Sequence, residues 1–409
     1  MKGPLTNMKK ILSITLILAM AISFCSCSNG GSSSATDKNS TDSTVSTAGK
    51  GTPTQAPTDP SIIPVQWQDN GIFSEYYEKA YTLMKTMTTE EKVGQVFYAN
   101  CPTTDAAEIA AQYQFGGYVL FGRDFENFSM DEVIANSIAC KNATRIPMTL
   151  SVDEEGGTVT RISRYSQFGV DQFLSPREIF ANGGLESIAA DTQAKSNLLN
   201  TLNIDNNLAP VCDISTDPND FIYDRALGET PEKTGEFVAT VVRVSQENNI
   251  AATLKHFPGY GNNVDTHTGV AVDNRPYSQF EGEDFIPFKA GIDAGADCLL
   301  VSHNIMTCVD GKYPASLSAD VHKIIRDKLG FTGIIMTDDC SMEAILDYVG
   351  DYDPAVIALN AGNDMVITGE YTTSYPAVLK AVNDGTISQD TIDHAVMRIL
   401  AWKYANALM

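Results

Sequence analysis

Short apolar runs alternate with longer stretches of helical periodicity from about residue 87 to the end of the chain. Eight apolar runs can be counted, at residues 93–98, 117–121, 148–152, 207–211, 250–254, 298–301, 333–336 and 364–367. Strands that alternate with helices form parallel sheets with crossover connections. The count of eight therefore predicts an α/β fold, a (β/α)8 barrel of the TIM type. An open doubly wound sheet is the alternative.

Apolar residues at helical spacing predict the connecting helices. The first begins near Ile72 and includes Tyr76 and Ala80. Thr88 with Glu91 three residues later matches a capping box and predicts a second, short helix. Further helices are predicted at residues 130–141, 229–247, 279–294, 319–328, 354–361 and 388–405. These elements occupy residues 63–409, and we expect a single domain there.

The first 62 residues have a different composition. Lys9 and Lys10 precede an apolar run at residues 11–24, which is short for a membrane span. Cys27 follows a small serine, which resembles a bacterial lipoprotein signal cleaved at residue 27; an ordinary secretory signal is the alternative. Residues 28–62 are rich in Gly, Ser and Thr and predict a disordered tether. We therefore expect an exported protein that is attached to the cell membrane only by lipid and faces outwards.

The net charge, the cysteine spacing and the absence of nucleotide-binding motifs limit the classes of partner and cofactor that we expect. A net charge of -23 argues against nucleic acid and anionic lipid as partners. Six cysteines remain after Cys27, with no CxxC pair, and their disulfide state is left open. No GxGxxG follows the first strand and no Walker motif is present, so we expect no nucleotide cofactor. We expect a monomer.

Polar residues of the types that act in enzyme active sites follow five of the eight apolar runs. They are Asp153, Asp213, the pair Lys255 and His256, His303, and Asp338. Function in parallel barrels lies at the carboxyl ends of the strands, which agrees with this placement. Three of the five histidines, including His267, also lie in these regions, whereas His322 and His394 lie in predicted helices.

The loop after the fifth run is the richest in chemistry. Pro258, Gly259 and Gly261 make it turn-rich, and it brings Asp265 and His267 two residues apart. A carboxylate beside a histidine orients the ring and favours its charged form, which makes His267 a candidate proton donor and acceptor. Helix capping by Asp265 is the alternative interpretation.

Two further strand ends carry candidate site residues. Asp338 is a candidate nucleophile or electrostatic stabiliser, with helix capping as the alternative for it and for Asp339. Asp153 and Arg161 combine acceptors and donors suited to sugar hydroxyls, and a salt-bridged loop is the alternative. Metal binding by His256, His303 and Asp338 lacks an HExxH-like spacing, so we expect no metal.

At these residues the sequence resembles the family 3 glycoside hydrolases, in their single-barrel β-N-acetylglucosaminidase branch. The resemblance extends over residues 87–409. It includes the lead-in TEEKVGQ at 89–95, GGYVLF at 116–121, DEEGG at 153–157, NLAPV at 207–211, KHFPG at 255–259, DTH at 265–267 and TD at 337–338.

The resemblance implies a retaining reaction through a covalent glycosyl-enzyme. Asp338 would be the nucleophile, and His267 with Asp265 would be the acid/base dyad. The residues implied to grip the sugar are Asp153, Arg161, Arg225, Lys255 and His256. The implied activity is exo-cleavage of N-acetylglucosamine from cell-wall fragments or related glycans.

One residue departs from the family pattern, and several activities remain open. Tyr260 stands where relatives usually carry histidine. Alternatives within the family are a β-glucosidase or β-xylosidase and a glycosyl phosphorylase, because a neutral-capable base does not repel an anionic acceptor. A non-catalytic sugar-binding lipoprotein and a Schiff-base enzyme that uses Lys255 are alternatives of other classes.

Overall fold

Ten strands and twelve α-helical segments are found in the computed structural model, which describes residues 63–261, 271–342, 345 and 348–409. The strands are β1 Phe97–Asn100, β2 Gly117–Leu120, β3 Thr149–Val152, β4 Asn206–Asn207, β5 Ala251–Phe257, β6 Val272–Asp273, β7 Cys298–Val301, β8 Ile305–Met306, β9 Ile334–Thr337 and β10 Val366–Thr368. The helices are α1 Tyr77–Met84, α2 Thr89–Gln95, α3 Ala106–Tyr113, α4 Met130–Ala143, α5 Pro176–Thr201, α6 Pro231–Glu247, α7 Tyr277–Gln279, α8 Phe285–Asp293, α9 Ala319–Lys323, α10 Pro354–Ala361, α11 Tyr371–Asn383 and α12 Gln389–Ala405.

Eight of the strands form one parallel sheet in the order β10-β1-β2-β3-β4-β5-β7-β9. A parallel bridge between Met336 and Met365 joins the two edges and closes the sheet into a barrel. The predicted (β/α)8 barrel is confirmed. Every residue of β2, β3, β7 and β9 is buried, as expected for parallel strands that are covered on both faces.

Side-chain caps account for most helix starts. Thr88 and Glu91 form the predicted capping box, with each side chain accepting from the other residue's backbone N–H. Ser388 caps α12 by accepting the N–H of Thr391 at 3.0 Å. His322 and His394 lie in helices, as predicted. In the part of the chain that the structure describes, every helix is too short or too polar to span a lipid bilayer.

Several predicted boundaries were wrong. Residues 93–95 belong to α2, and β1 starts only at Phe97. Lys255 and His256 were expected to follow the fifth strand, but they lie within β5. The run at 207–211 keeps regular pairing only at Asn206–Asn207, because Pro210 has no N–H to donate to a ladder. The predicted helices at 279–294 and 319–328 each contain a π-helical stretch, Phe280–Asp284 and Ile324–Lys328.

The two remaining strands form a separate parallel pair beside the barrel. Val272 pairs with Ile305, and Asp273 pairs with Met306. Each strand is only two residues long, so neither shows the alternation that would have predicted it. The pair fixes the chain directly after residue 270.

Candidate active site

A pocket of ≈ 330 Å³ opens at the carboxyl ends of the barrel strands. It is lined by Asn100, Val119, Phe121, Asp153, Val159, Arg161, Leu208, Arg225, Lys255, His256, Leu300, Asp338, Asp339, Met342 and Ile367. Volume does not single it out, since a groove beside Cys101 and Arg123 measures ≈ 340 Å³. This pocket is distinguished by the six predicted site residues that line it, which are Asp153, Arg161, Arg225, Lys255, His256 and Asp338.

Asp338 lies directly after β9 and is partly exposed to the pocket. Its backbone N–H donates to the carbonyl of Val301 at 2.8 Å, and its Oδ1 accepts the N–H of Asp339 at 2.9 Å. Asp339 in turn accepts from Asn100 Nδ2 at 2.7 Å and from the hydroxyl of Ser341 at 2.6 Å. The carboxylate of Asp338 is therefore held by backbone at the strand tip, while Asp339 ties this turn to β1.

Asp153 and Asp338 both line the pocket and follow strands on opposite sides of the barrel, because β3 is four strands from β9 in either direction around the closed sheet. Asp153 Oδ1 accepts from Lys255 Nζ at 2.7 Å, and its Oδ2 lies 3.5 Å from Arg161 Nη2. About 16% of the Asp153 side chain is exposed. A carboxylate flanked by two cations in this position is suited to accepting a hydrogen bond from a hydroxyl group of a bound ligand.

Glu155 joins the cations of the pocket, and the sequence prediction missed it. Its carboxylate accepts a two-pronged pair of bonds from Arg225, at 3.0 and 2.8 Å, and lies 2.6 Å from Lys255 Nζ. Burial alone would raise the pKa of Glu155, but Arg225 and Lys255 outweigh it and hold the pKa well below its usual range. Glu155 is therefore ionised and holds Arg225 and Lys255 in fixed positions beside the pocket.

His256 continues this network on the other side of Arg225. Its Nε2 lies 3.1 Å from Arg225 Nη2, and its Nδ1 lies 2.8 Å from Asp213 Oδ2. Because a guanidinium can only donate, Nε2 is the acceptor and Nδ1–H donates to Asp213. Asp213 also accepts the backbone N–H groups of His256 and Tyr260, at 3.0 and 2.7 Å. Asp213, which the sequence placed at a strand end without assigning it a role, thus fixes both the His256 ring and the turn that follows it.

Glu154 fixes the loop that carries Arg161. It is fully buried and accepts the backbone N–H groups of Arg161, Ile162 and Ser163, at 2.8, 2.8 and 3.2 Å, together with the Ser163 hydroxyl. The three consecutive acids 153–155 therefore serve different purposes: one faces the pocket, one folds a loop and one pairs with cations. In sequence they are indistinguishable, and only their partners separate them.

Other predicted residues lie outside the pocket or outside the described chain. His303 is buried behind the Asp338 turn, with Nδ1 2.7 Å from the Ser316 hydroxyl and Nε2 3.0 Å from the carbonyl of Asp339. Asp265 and His267 fall within 262–270, and Cys27 falls within 1–62, both outside the described residues.

Tyr260 is buried and packs between the pocket and a neighbouring loop. Its ring meets that of His256 edge-on at 5.1 Å and lies 5.6 Å from that of Phe221. Phe221 belongs to the loop that carries Arg225. Tyr260 therefore links the two sugar-gripping candidates His256 and Arg225 through aromatic contacts.

Across the described ranges, no three His, Cys, Asp or Glu side chains are grouped to hold a metal ion. The six described cysteines are all unpaired thiols, five of them buried and Cys308 exposed.

Comparison with known proteins places this geometry in a family. The model of the glycosyl hydrolase family 3 N terminal domain matches residues 88–402. A beta-hexosaminidase of Xanthomonas campestris pv. campestris is 34% identical over 260 residues, which cover 61% of this chain and 76% of that protein. A beta-hexosaminidase of Xylella fastidiosa is 32% identical over 254 residues, covering 61% of this chain and 75% of that protein.

Solved structures agree. A glycoside hydrolase family 3 beta-N-acetylglucosaminidase from Paenibacillus sp. superposes with a TM-score of 0.73 at 29% identity; the match covers 79% of this chain but only 63% of the Paenibacillus chain. A beta-N-acetylhexosaminidase from Beutenbergia cavernae has a TM-score of 0.70 at 25% identity, covering 78% of this chain and 99% of that one. With a family match over most of its length, this chain belongs to glycosyl hydrolase family 3 and is a glycoside hydrolase.

Proposed function

We propose that the protein is an exo-acting, retaining β-N-acetylhexosaminidase that removes N-acetylglucosamine from the non-reducing end of glycans. The observation that carries the proposal is the placement of Asp338 across the pocket from the Asp153–Lys255–Glu155–Arg225 network. C1 and C4 are at opposite ends of a pyranose ring. A ring held at its far hydroxyls by Asp153 and Lys255 therefore brings C1 towards Asp338.

Exo-cleavage is supported by the ion pairs at the far end of the pocket. Lys255, Glu155 and Arg225 expose 3%, 2% and 15% of their side chains, so they close that end. The sugar bound there has a free 4-hydroxyl and is the terminal residue of its chain. The leaving group must then extend out of the barrel mouth.

The N-acetyl preference is supported by the rest of the lining and by the relatives. Val119, Phe121, Met342 and Ile367 give the pocket an apolar side, which suits the methyl of an acetamido group. The named relatives are hexosaminidases and N-acetylglucosaminidases. Glycans of the cell wall are the substrates that we propose on this basis.

In the proposed mechanism, Asp338 attacks C1 as the bond to the leaving oxygen breaks, and that oxygen takes a proton from His267. Water then attacks C1 of the glycosyl-Asp338 ester and returns a proton to His267, with Asp265 as partner of the ring. Retaining enzymes usually employ a second carboxylate about 5 Å from the nucleophile. The described carboxylates of the pocket are otherwise engaged, Asp153 by Lys255 and Asp339 by Asn100, which favours a histidine for this step.

The first experiment compares nitrophenyl β-N-acetylglucosaminide with nitrophenyl β-glucoside. We expect cleavage of the acetamido sugar only, with a loss of several powers of ten in Asp338→Asn. Asp320→Asn, at an exposed carboxylate with 61% of its side chain accessible, is the matched control and should retain full activity. Preference for the glucoside would refute the substrate assignment, and phosphate-dependent turnover would make the enzyme a phosphorylase.

We further propose that Cys27 carries lipid and that the domain faces outwards from the cell membrane. The support is the sequence pattern alone, Lys9 and Lys10 followed by the apolar run and Ser26-Cys27. Cys27→Ser should release the protein from the membrane fraction. Unchanged partitioning of this variant into detergent would contradict the anchor.

A further inference from the structure

Residues on the two sides of the 262–270 segment meet at one guanidinium. Arg275, which follows β6, donates from Nη2 to the carbonyl of Gly259 at 3.4 Å. Gly261 also lies against this guanidinium, since a Cβ added there would be 2.6 Å from the Arg275 Cζ. The side chain of Arg275 therefore lies against Gly259 and Gly261 on one side of the segment while its backbone belongs to the other.

Arg275 is itself held from several directions. Asp273 accepts from Nε at 3.0 Å and from Nη2 at 2.7 Å, and Asp284 accepts from Nη1 at 2.8 Å. The ring of Phe280 lies 4.3 Å from the guanidinium carbon. Only 15% of the arginine side chain and 3% of each carboxylate side chain are exposed. A planar guanidinium spreads five donors over three nitrogens, and Arg275 uses all three nitrogens to bind two carboxylates and a carbonyl; a lysine ammonium has a single nitrogen with three donors.

Each side of the segment is also fixed to the barrel. On the amino-terminal side, Tyr260 N–H donates to Asp213 at 2.7 Å. On the carboxyl-terminal side, Ile305 N–H donates to Ala271 O at 2.8 Å, and Thr307 N–H donates to Asp273 O at 3.0 Å. Arg275 is thus the cross-link between two separately anchored chain ends.

Removing Arg275 would leave buried carboxylates facing one another. Burial raises the pKa of Asp284 to about 7, with Asp213 and Asp273 adding to the rise and Arg275 opposing it. Gly259, with φ +112°, lies so close to Asp284 that a Cβ would be 2.3 Å from its Oδ1. The Asp284 carboxylate is therefore packed directly against the chain at Gly259.

We infer that Arg275 is a positioning residue for proton transfer, because it sets the separation of the two chain ends between which Asp265 and His267 lie. The inference rests on the proposed function, which takes His267 as the proton donor. Residues 262–270 are nine in number and carry both members of the dyad. Displacement of a catalytic group by 1 Å can cost about a hundredfold in rate.

The test uses two substrates with the same sugar and different leaving groups. A dinitrophenolate departs without protonation, whereas a methoxide requires a general acid. We expect Arg275→Lys to lower kcat/KM for methyl β-N-acetylglucosaminide by about a hundredfold. For the dinitrophenyl glycoside we expect kcat/KM to fall by less than about fivefold. General acid catalysis contributes a rate factor of about 10²–10⁴, and this leaving group does not need it.

The matched control is Arg326→Lys, at the amino-terminal end of β9. Arg326 also bridges a buried carboxylate and backbone carbonyls, those of Asp364, Phe331 and Gly333, at 2.7, 2.9 and 2.7 Å. It should lower thermal stability and leave the ratio of the two substrates unchanged. Asp284→Asn, which keeps the size and one acceptor, should shift the ratio in the same direction as Arg275→Lys and provides a second variant if that protein fails to fold.

His267→Ala separates failure of this inference from failure of the proposed function. Equal losses on both substrates in Arg275→Lys, alongside a selective loss in His267→Ala, would overturn the positioning role and leave the acid assignment standing. Equal losses in both variants would overturn the acid assignment, and the role of Arg275 with it.

Discussion

The Nζ atom of Lys255 lies 2.6 Å from the Oε1 atom of Glu155, and the two side chains expose only 3% and 2% of their surface. Glu155 also accepts hydrogen bonds from Nε and Nη2 of Arg225. One buried carboxylate therefore forms ion pairs with two cations that line the pocket. The stability of the fold and the geometry of ligand binding depend on the same group.

Glu155→Gln should destabilise the protein by about 3 kcal/mol, because it leaves two buried cations short of one counter-charge. Chemical denaturation at neutral pH measures this. The control is Glu229→Gln, whose partner Lys233 is 54% exposed and whose loss should cost below about 1 kcal/mol. Equal costs for the two variants would contradict the assigned importance of Glu155.

Glu154→Gln should raise KM without a comparable change in kcat. A glutamine amide offers one acceptor atom and one donor group where three backbone N–H groups now donate, so the Arg161 loop loses support. Arg161 is proposed to hold the sugar both before and during the reaction, and uniform binding of this kind is expressed in KM. Ser163→Ala, which removes one donor to the same carboxylate, should show a smaller rise. An unchanged KM in both variants would disprove the coupling.

The pattern of apolar runs was sufficient to predict the barrel, because parallel strands buried on both faces are apolar throughout. It could not predict β6 and β8, whose two residues each carry no periodicity. The same limit applies to the site. Asp153 and Asp338 were identifiable because each ends a strand. Glu155 was not, since its importance depends on Arg225, 70 residues later.

Tyr260→Ala should destabilise the protein by about 3 kcal/mol, the lower end of the range for deleting a buried aromatic ring. It should also raise KM, since His256 and Phe221 lose the ring between them. Tyr260→Phe keeps both ring contacts, so its KM should rise less than that of Tyr260→Ala. Thermal melts and steady-state kinetics measure both effects. A parental KM in Tyr260→Ala would show that the ring does not hold the site.

His394→Gln should flatten the dependence of stability on acid pH. Burial, and then the charge of Arg398, lower the pKa of His394 to about 4, and its Nε2 lies 3.0 Å from Arg398 Nη2. The unfolded chain, with a pKa of about 6.5, binds the proton first. The contribution of His394 is therefore fully present above about pH 6.5 and is lost as the pH falls towards 4.

Glutamine can accept from Arg398 without titrating, so the melting temperature of His394→Gln should fall less between pH 7 and pH 4.5 than that of the parent. Trp67, stacked on the His394 ring at 5.5 Å, provides a fluorescence probe at the same place. Parallel pH curves for parent and variant would assign the acid sensitivity to other groups.

The pocket has a charged side from β3 to β5 and an apolar side from β2, β10 and the segment after β9, and this division defines where substrate scope can be engineered. Randomising Asp153, Lys255, Arg225 or their partners would mainly yield misfolded libraries, since each change breaks a buried ion pair. Val119, Phe121, Met342 and Ile367 bear no such constraint from charge. A library confined to these four positions would sample new sugar substituents while every member retained the same anchor for the ring.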